Sequence, residues 1–406
     1  MKVIVQKFGG TSVATPDVRA KAVQKVINAR KSGYHPVVVV SAMGRNGAPY
    51  ATDTLIALAK NEHVDTHPRE LDLLMSCGEI ISSVIMVNAL RAKGYEAVAL
   101  TGGQAGIITD NNFGSANILR INPDRIYMYL EMGKIPVVAG FQGVTEGGDI
   151  TTLGRGGSDT TAAALGKALS ASFVEIYTDV DGIMTADPRL VPNATVLKHL
   201  TYSEVFQMAD QGAKVIHPKA VEIAMSCSIP LIIKNINGNG PGTIVSSYDE
   251  GNYAQDTEYD PNQVVTSISH MLNRTQVLIE NVNPEFQNII LSRLAENGIS
   301  IDLINVFPDK MIFTIDGNDA DKAKSIFEPL MCRYSMIHNC SKISAIGNRM
   351  RGVPGVMARV LKALVKNQIQ VLQTADSHTT ISCLIKGEDT AKALMALHDE
   401  FKLHAR

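Results

Sequence analysis

Four consecutive valines, Val37-Val38-Val39-Val40, follow Pro36 and set the first constraint on the fold. A strand that is apolar on both faces has no side to turn to water, so it belongs in the middle of a parallel sheet covered on both sides. The surrounding text agrees. Val3-Ile4-Val5 reads as an earlier strand, and Val18, Ala22, Val23, Val26 and Ile27 mark one face of a helix between the two. Further strands are expected at 97–100, 136–139, 173–177 and 230–233, and helices at 69–93 (Gly78 marking a candidate break), 123–133, 158–169 and 217–226. This alternation describes a doubly wound α/β domain ending near residue 245. Such sheets bind ligands outside the carboxyl ends of their strands, where Ser41-Ala42-Met43-Gly44 stands.

Directly after the first strand comes Lys7-Phe8-Gly9-Gly10-Thr11-Ser12. Two glycines at a strand end let backbone N–H groups approach an anion closely, and the lysine beside them adds a point charge for phosphate. Thr15 and Pro16 then cap and start the next helix. The order differs from a P-loop, whose lysine follows the glycines. A bare glycine pair is also what an ordinary strand-to-helix turn uses. A second loop, Gly154-Arg155-Gly156-Gly157-Ser158-Asp159-Thr160-Thr161, opens another helix. Helix starts favour anions, and two such loops in one domain suit a triphosphate tail and a second substrate. Thr178-Asp179-Val180-Asp181-Gly182 also follows a strand. Its Asp and Gly are equally those of a turn, and the EF-hand spacing is absent.

Residues 246–263 carry Asp249, Glu250, Asp256, Glu258 and Asp260 with no Lys or Arg, and read as an exposed acidic linker. Beyond it lies an internal repeat. Leu294-Ala295-Glu296-Asn297-Gly298-Ile299-Ser300-Ile301 aligns with Leu364-Val365-Lys366-Asn367-Gln368-Ile369-Gln370-Val371, and the same offset brings Pro284 onto Pro354. Each copy reads strand, helix, strand, strand, helix, which gives two small α+β modules able to bury one another's sheet edges.

Composition narrows the function classes. A formal charge of -2 leaves no basic footprint for nucleic acid. With 45% apolar and 19% charged residues, a chain of 406 is a folded protein with room for two or three domains. Five cysteines, an odd number without C-x-x-C spacing, indicate reduced thiols and a cytoplasmic location. No stretch reaches the roughly 18 apolar residues expected of a membrane span, and the N-terminal run is too short for a signal peptide. Cys77 has no base placed for it and is expected to be a buried thiol. The remaining histidines and cysteines are assigned no role, and no metal ligands are assigned.

Lys7-Phe8-Gly9-Gly10-Thr11-Ser12, Gly154 to Thr161, Thr178 to Gly182 and Gly212-Ala213-Lys214-Val215 together resemble the motifs of aspartokinases, in the amino-acid-kinase superfamily. The tandem repeat resembles their paired ACT domains, so the resemblance covers essentially the whole chain. Asp376-Ser377-His378-Thr379-Thr380 resembles the single-function bacterial type. The resemblance implies a three-layer α/β/α kinase domain with a mainly parallel sheet at 1–245, a linker at 246–263, and two ferredoxin-like α+β ACT domains at 264–335 and 336–406. The C-terminal end is a candidate to complete the first of these. It further implies a homo-oligomer formed through the ACT domains, with no membrane or nucleic-acid partner.

The activity implied is transfer of the ATP γ-phosphate to the side-chain carboxylate of L-aspartate, the first step toward lysine and diaminopimelate, methionine and threonine. A carboxylate with a pKa of about 4 is already ionised at neutral pH, so no general base is needed. The difficulty is bringing an anion up to a polyanion, which calls for cations and N–H donors. By resemblance, Lys7 with Phe8, Gly9 and Gly10 holds the phosphates, Mg²⁺ bridges them, and Asp159 orients Lys7 and the metal's water shell. Arg155 offers its planar fork to a carboxylate of aspartate. Glu79 pairs with the α-ammonium, although by itself it reads equally as a helix-surface acid. Ser41, Thr52 and Ser158 supply hydroxyls, and Thr178, Asp179, Met184, Arg189 and Lys214 line the nucleotide. Met184 stands where many members carry tyrosine.

In the second repeat Gly352-Val353-Pro354-Gly355-Val356 runs into a helix whose amides can take a carboxylate. The first repeat keeps the proline, but Glu285 replaces the glycine and Asp302 opens the next segment. Those acids suit an effector with an extra ammonium, lysine or diaminopimelate rather than threonine, against the simpler reading that the repeats only dimerise. Two other functions remain open from the sequence: a related kinase acting on glutamate, acetylglutamate or UMP, and a non-catalytic amino-acid sensor.

Overall fold

In the computed structural model, which describes residues 1–213, 216–247, 264–347, 350 and 353–405, the valine run is buried as a central strand must be. Val37, Val38, Val39 and Val40 are each 0% exposed. The chain forms two compact units. One comprises Met1–Ile183, Val196–Ala209 and Lys214–Ala254, the other Met184–Thr195, Asp210–Ala213 and Gln255–Arg406. Two short segments of the region 1–245 thus belong with the C-terminal unit.

The elements of the first half run β1 (Val3–Phe8), α1 (Gly10–Val13), α2 (Pro16–Lys31), β2 (His35–Val40), α3 (Thr52–Glu62), α4 (Pro68–Arg91), β3 (Ala97–Leu100), β4 (Ile107–Thr109), β5 (Ile118–Ile121) and α5 (Asp124–Glu131). There follow β6 (Ile135–Ala139), β7 (Gln142–Val144), β8 (Ile150–Thr152), α6 (Gly157–Ala168), β9 (Val174–Thr178), β10 (His199–Thr201), α7 (Tyr202–Asp210), α8 (Pro218–Ser226), β11 (Leu231–Asn235) and β12 (Thr243–Ser246). The main sheet has the order β10-β12-β11-β9-β1-β2-β6-β3 and is parallel except where β11 meets β12. Side chains alternate across a strand. Phe8, Val38 and Val40 therefore meet Val23, Val26 and Ile27 of α2 and Met86, Val87 and Leu90 of α4 in one core, while Lys7 turns to the opposite face, toward α6. The domain has three layers, α/β/α.

α4 is continuous through Gly78. A β-carbon there would lie 2.8 Å from both Ala42 Cβ and Tyr50 O, so this glycine serves close approach rather than a break. α4 also holds a window of mean hydropathy 1.8, long and apolar enough to cross a membrane by composition, against the sequence expectation; half of it is buried inside the protein. Cys77 is exposed rather than buried, because it shares the outer face of α4 with Leu73 and Val84, both 45% exposed. A separate four-stranded sheet, β5-β4-β7-β8, was not legible in the sequence.

In the second unit the order is β13 (Ser267–Glu280), α9 (Pro284–Glu296), β14 (Ile301–Val306), β15 (Lys310–Asp316), α10 (Ala320–Phe327), β16 (Arg333–Ile346), α11 (Val356–Lys366), β17 (Val371–Asp376), β18 (Thr380–Lys386) and α12 (Thr390–Glu400). The repeats share one sheet, β14-β15-β13-β16-β18-β17. Each long strand serves both modules. Arg274 to Glu280 of β13 pairs with β15 in the first, while Ser267 to Met271 pairs with Lys342 to Ile346 of β16, which carries β18 of the second. The C-terminal end does not complete the first module: Phe401 and Leu403 pack in the second module's core with Ile268, Ile343 and Leu397. Residues 248–263 of the expected linker lie outside the described residues.

Candidate active site

β1 ends in the centre of the sheet between β2 and β9, and its last residues reach the carboxyl edge where loops converge. Lys7 Nζ lies 2.6 Å from Asp159 Oδ1, in the first turn of α6; both side chains are nearly buried, at 13% and 12% exposure. A half-dry ion pair of this kind holds the ammonium in one place. The ammonium also lies close over Gly9, 3.6 Å from where a β-carbon would stand. Gly10 has no room for a side chain, since a β-carbon would meet Ala42 O at 2.6 Å and Gly44 O at 2.7 Å. The first loop is thereby pressed onto the loop after β2, and Gly44 N–H donates to Gly10 O. Gly9 N–H donates to Tyr177 O at 3.4 Å, and Phe8 stacks on the Tyr177 ring at 4.9 Å.

The other loop, from Gly154, passes into α6 at Gly156, in the left-handed conformation that caps the helix. Ser158 and Asp159 are buried, at 8% and 9% exposure, and Arg155 is exposed. Among the described residues Arg155 makes no ion pair, which leaves its guanidinium available to an anion. His217, the N-cap of α8, lies where a β-carbon on Gly156 would meet its ring. Burial holds the His217 imidazole below its ordinary pKa, against the opposing pull of Asp159.

Glu79 is the unusual group. It is 2% exposed on α4, so the surface-acid reading is excluded. Ala42 N–H donates to its Oε1 at 3.1 Å, whereas its Oε2 has no partner among the described residues. Burial pushes its pKa up to about 8. A buried carboxylate with an open oxygen is a receptor for a cation. Ser41 follows β2 directly and donates its N–H to Phe8 O, and Thr52 begins α3. Ser41, Glu79 and Gly10 are thus tied to one loop, residues 41–44.

Thr178 ends β9, with Asp179 exposed after it. Asp179 Oδ2 pairs with Arg45 at 2.6 Å, a partner the sequence reading missed. Met184 and Arg189 belong to the second unit. Arg189 pairs with Asp187 at 2.7 Å and holds that carboxyl below its usual range. Lys214 lies outside the described residues.

Asp72 was also missed. It is fully buried and accepts from Gly114 N–H, Thr152 N–H (2.8 Å) and Thr152 Oγ1–H (2.7 Å), tying two loops to α4. The signal was present: Asp72, Ser76, Glu79 and Ser83 recur at helical spacing on the inner face of α4, and all four are buried.

In the second unit, Glu285 stands in the first turn of α9 and lines a cavity of about 430 Å³ with Asn281, Val282, Asn283, Phe286 and Ile289. Asp302 is engaged: its Oδ2 pairs with the buried Lys342 ammonium and its Oδ1 accepts from Leu303 N–H. Val353 is 40% exposed and Val356 is buried at the start of α11, with Gly355 as its left-handed N-cap. Gly352 lies outside the described residues.

Residues 2–235 match the amino acid kinase family and residues 335–399 the ACT domain. Over 99% of its length the chain is 44% identical to aspartokinase 1 of Bacillus subtilis, all of which it covers. It is 36% identical to an aspartokinase of Thermus thermophilus over 99% of both chains. The structure superposes on E. coli aspartokinase III in complex with aspartate and ADP (R-state) with a TM-score of 0.79 and 27% identity, covering 98% of this chain and 99% of that one. Against the same enzyme in complex with lysine and aspartate (T-state) the TM-score is 0.75, at 26% identity and 99% and 100% coverage. With the kinase fold, the ACT modules and these full-length similarities in hand, the chain belongs to the aspartokinases of the amino acid kinase family.

Proposed function

We propose that the site formed by Lys7, Asp159, Arg155 and Glu79 transfers the γ-phosphate of ATP to the side-chain carboxylate of L-aspartate, giving 4-phospho-L-aspartate and ADP. The observation that carries the reading is Glu79: a buried carboxyl at the same sheet edge as the Lys7–Asp159 pair, with Oε2 open among the described residues, fits an α-ammonium. Arg155 takes a carboxylate of aspartate, and Ser41, Thr52 and Ser158 contribute hydroxyls. Binding at both ends leaves the side-chain carboxylate facing the phosphates, where proximity does much of the work.

Lys7, with the backbone of Phe8, Gly9 and Gly10, stabilises charge on the transferred group. Thr178, Asp179, Met184, Arg189 and Lys214 are assigned to the nucleotide. For Asp179 that role requires Arg45 to share it or yield it. Asp159, Asp179 and Asp181 are hard oxygen donors of the type Mg²⁺ takes; Asp159, beside Lys7, would hold the ion's water shell, and Mg²⁺ would supply neutralisation of phosphate charge. A coupled hydroxamate assay over a panel of acids tests the assignment: aspartate should be strongly preferred, and equal activity on glutamate or acetylglutamate would overturn it.

The ACT modules are assigned to feedback by an amino acid, supported by the lysine complex of the E. coli relative. Glu285 in its cavity is the residue best placed for an extra ammonium, and lysine or diaminopimelate is favoured. At Asp302 a ligand would have to displace Lys342. Gly355, Val353 and Val356 offer a second helix start for a carboxylate. An effector inhibits only by binding the less active arrangement better. Assembly as a homo-oligomer through the ACT modules and a cytoplasmic location complete the proposal, the latter in keeping with five unpaired thiols.

A further inference from the structure

α12 ends beside a short 3-10 turn, Leu403–Ala405. His398, in the last turn of α12, is 0% exposed. Its Nε2 lies 2.9 Å from Thr185 Oγ1, which also accepts Thr195 N–H at 3.0 Å. Its Nδ1 is buried and has no partner among the described residues. Asp399 and His404 are exposed beside it, and one donor atom from each of the three residues lies within 4.8 Å of the others. All belong to the second unit, whereas the residues assigned to aspartate belong to the first. We propose that His398, Asp399 and His404 form a binding site for a divalent transition-metal ion of the zinc type.

Two imidazoles and a carboxylate suit zinc or its neighbours, and do not suit Mg²⁺, which prefers oxygen and water. Donor atoms around a tetrahedral zinc stand about 3.3 Å apart, given bonds of about 2.0–2.1 Å. The cluster has to tighten by roughly 1.5 Å at most, which rotation of the exposed Asp399 and His404 side chains supplies. In the tautomer that donates Nε2–H to Thr185 Oγ1, Nδ1 keeps a free lone pair, and a second-shell acceptor of this kind fixes the tautomer of a ligating histidine. The ion would fasten the C-terminal turn to α12, and through Thr185 it would brace the segment Met184–Thr195.

The test uses full-length protein stripped with a chelator, titrated with Co²⁺ and then Zn²⁺ in millimolar Mg²⁺, which saturates oxygen-ligand sites. The expected result is a single Co²⁺ per chain with the visible bands of a nitrogen and oxygen site, no thiolate charge-transfer band, and displacement by Zn²⁺. His404→Ala and Asp399→Asn should keep the wild-type circular dichroism and weaken Zn²⁺ binding about tenfold or more. Cys77→Ser, which removes the exposed thiol, should bind as wild type does. Unchanged affinity in His404→Ala overturns the proposal. So does the absence of saturable binding to the wild type, since a water on Nδ1 then accounts for the open nitrogen.

Discussion

Replacing Glu79 by glutamine should stabilise the ligand-free protein while destroying its affinity for aspartate. The magnitude follows from burial. The carboxyl titrates at 4.5 when unperturbed and at about 8 in the fold, a gap of about 3.5 pH units at about 1.36 kcal/mol each. Between those values the unfolded chain holds Glu79 ionised while the folded chain keeps it protonated. The folded state therefore binds the extra proton, and stability falls as pH rises through this window. The penalty is roughly 2 kcal/mol at pH 6 and roughly 4.5 kcal/mol at pH 9. Glutamine cannot ionise, yet its Oε1 can still accept from Ala42 N–H. Urea unfolding of both proteins should therefore show the stability gap between variant and wild type widening by about 2.5 kcal/mol from pH 6 to pH 9. Saturating aspartate should close the gap in the wild type, because an ammonium on Oε2 compensates the charge. A gap that is the same at both pH values would refute the account of Glu79 as an uncompensated buried acid.

The same linkage predicts that aspartate binding at pH 7 expels close to one proton from Glu79, visible as a dependence of calorimetric enthalpy on the buffer's ionisation heat and abolished in Glu79→Gln. Lys7→Ala should lower kcat by on the order of 10²–10³ with little change in aspartate KM, because its charge acts where negative charge redistributes. Arg155→Ala should instead raise aspartate KM by roughly ten- to a hundredfold, and steady-state kinetics showing one shared pure KM defect would contradict this division. Asp72→Ala should destabilise the fold by about 3 kcal/mol in denaturant titrations, since it strands the buried Thr152 N–H and Oγ1–H donors. Glu285→Ala should relieve inhibition by lysine or diaminopimelate without altering uninhibited turnover; unchanged inhibition would move the effector away from α9.

The parts of this fold that were legible in the sequence are those whose signal is local. The valine run, the helix of Val18 to Ile27 and the repeat around Leu294 and Leu364 each carry their own period, and each became the expected element. What was hidden depended on distant partners. Gly78 resembles a helix breaker until Ala42 is seen against it. β13 and β16 are long enough to be shared between modules, and only their pairing shows that Ser267 to Met271 serves the second. In the candidate site, the places of Lys7 and the glycine loops between strand and helix were legible from their spacing. The burial of Glu79, the engagement of Asp302 by Lys342 and the pairing of Arg45 with Asp179 arise from chain segments far apart in sequence, and no local pattern encodes them.

The central claim is that Lys7 and its surrounding loops drive phosphoryl transfer onto the side-chain carboxylate of aspartate. Phosphorus NMR of a reaction with ATP, Mg²⁺ and aspartate labelled at the side-chain carboxyl carbon follows that bond itself. The account predicts an acyl-phosphate resonance split by the labelled carbon, growing in step with ADP and lost in Lys7→Ala. ADP formation without a carbon-coupled resonance, or an equally strong resonance when glutamate replaces aspartate, would contradict it.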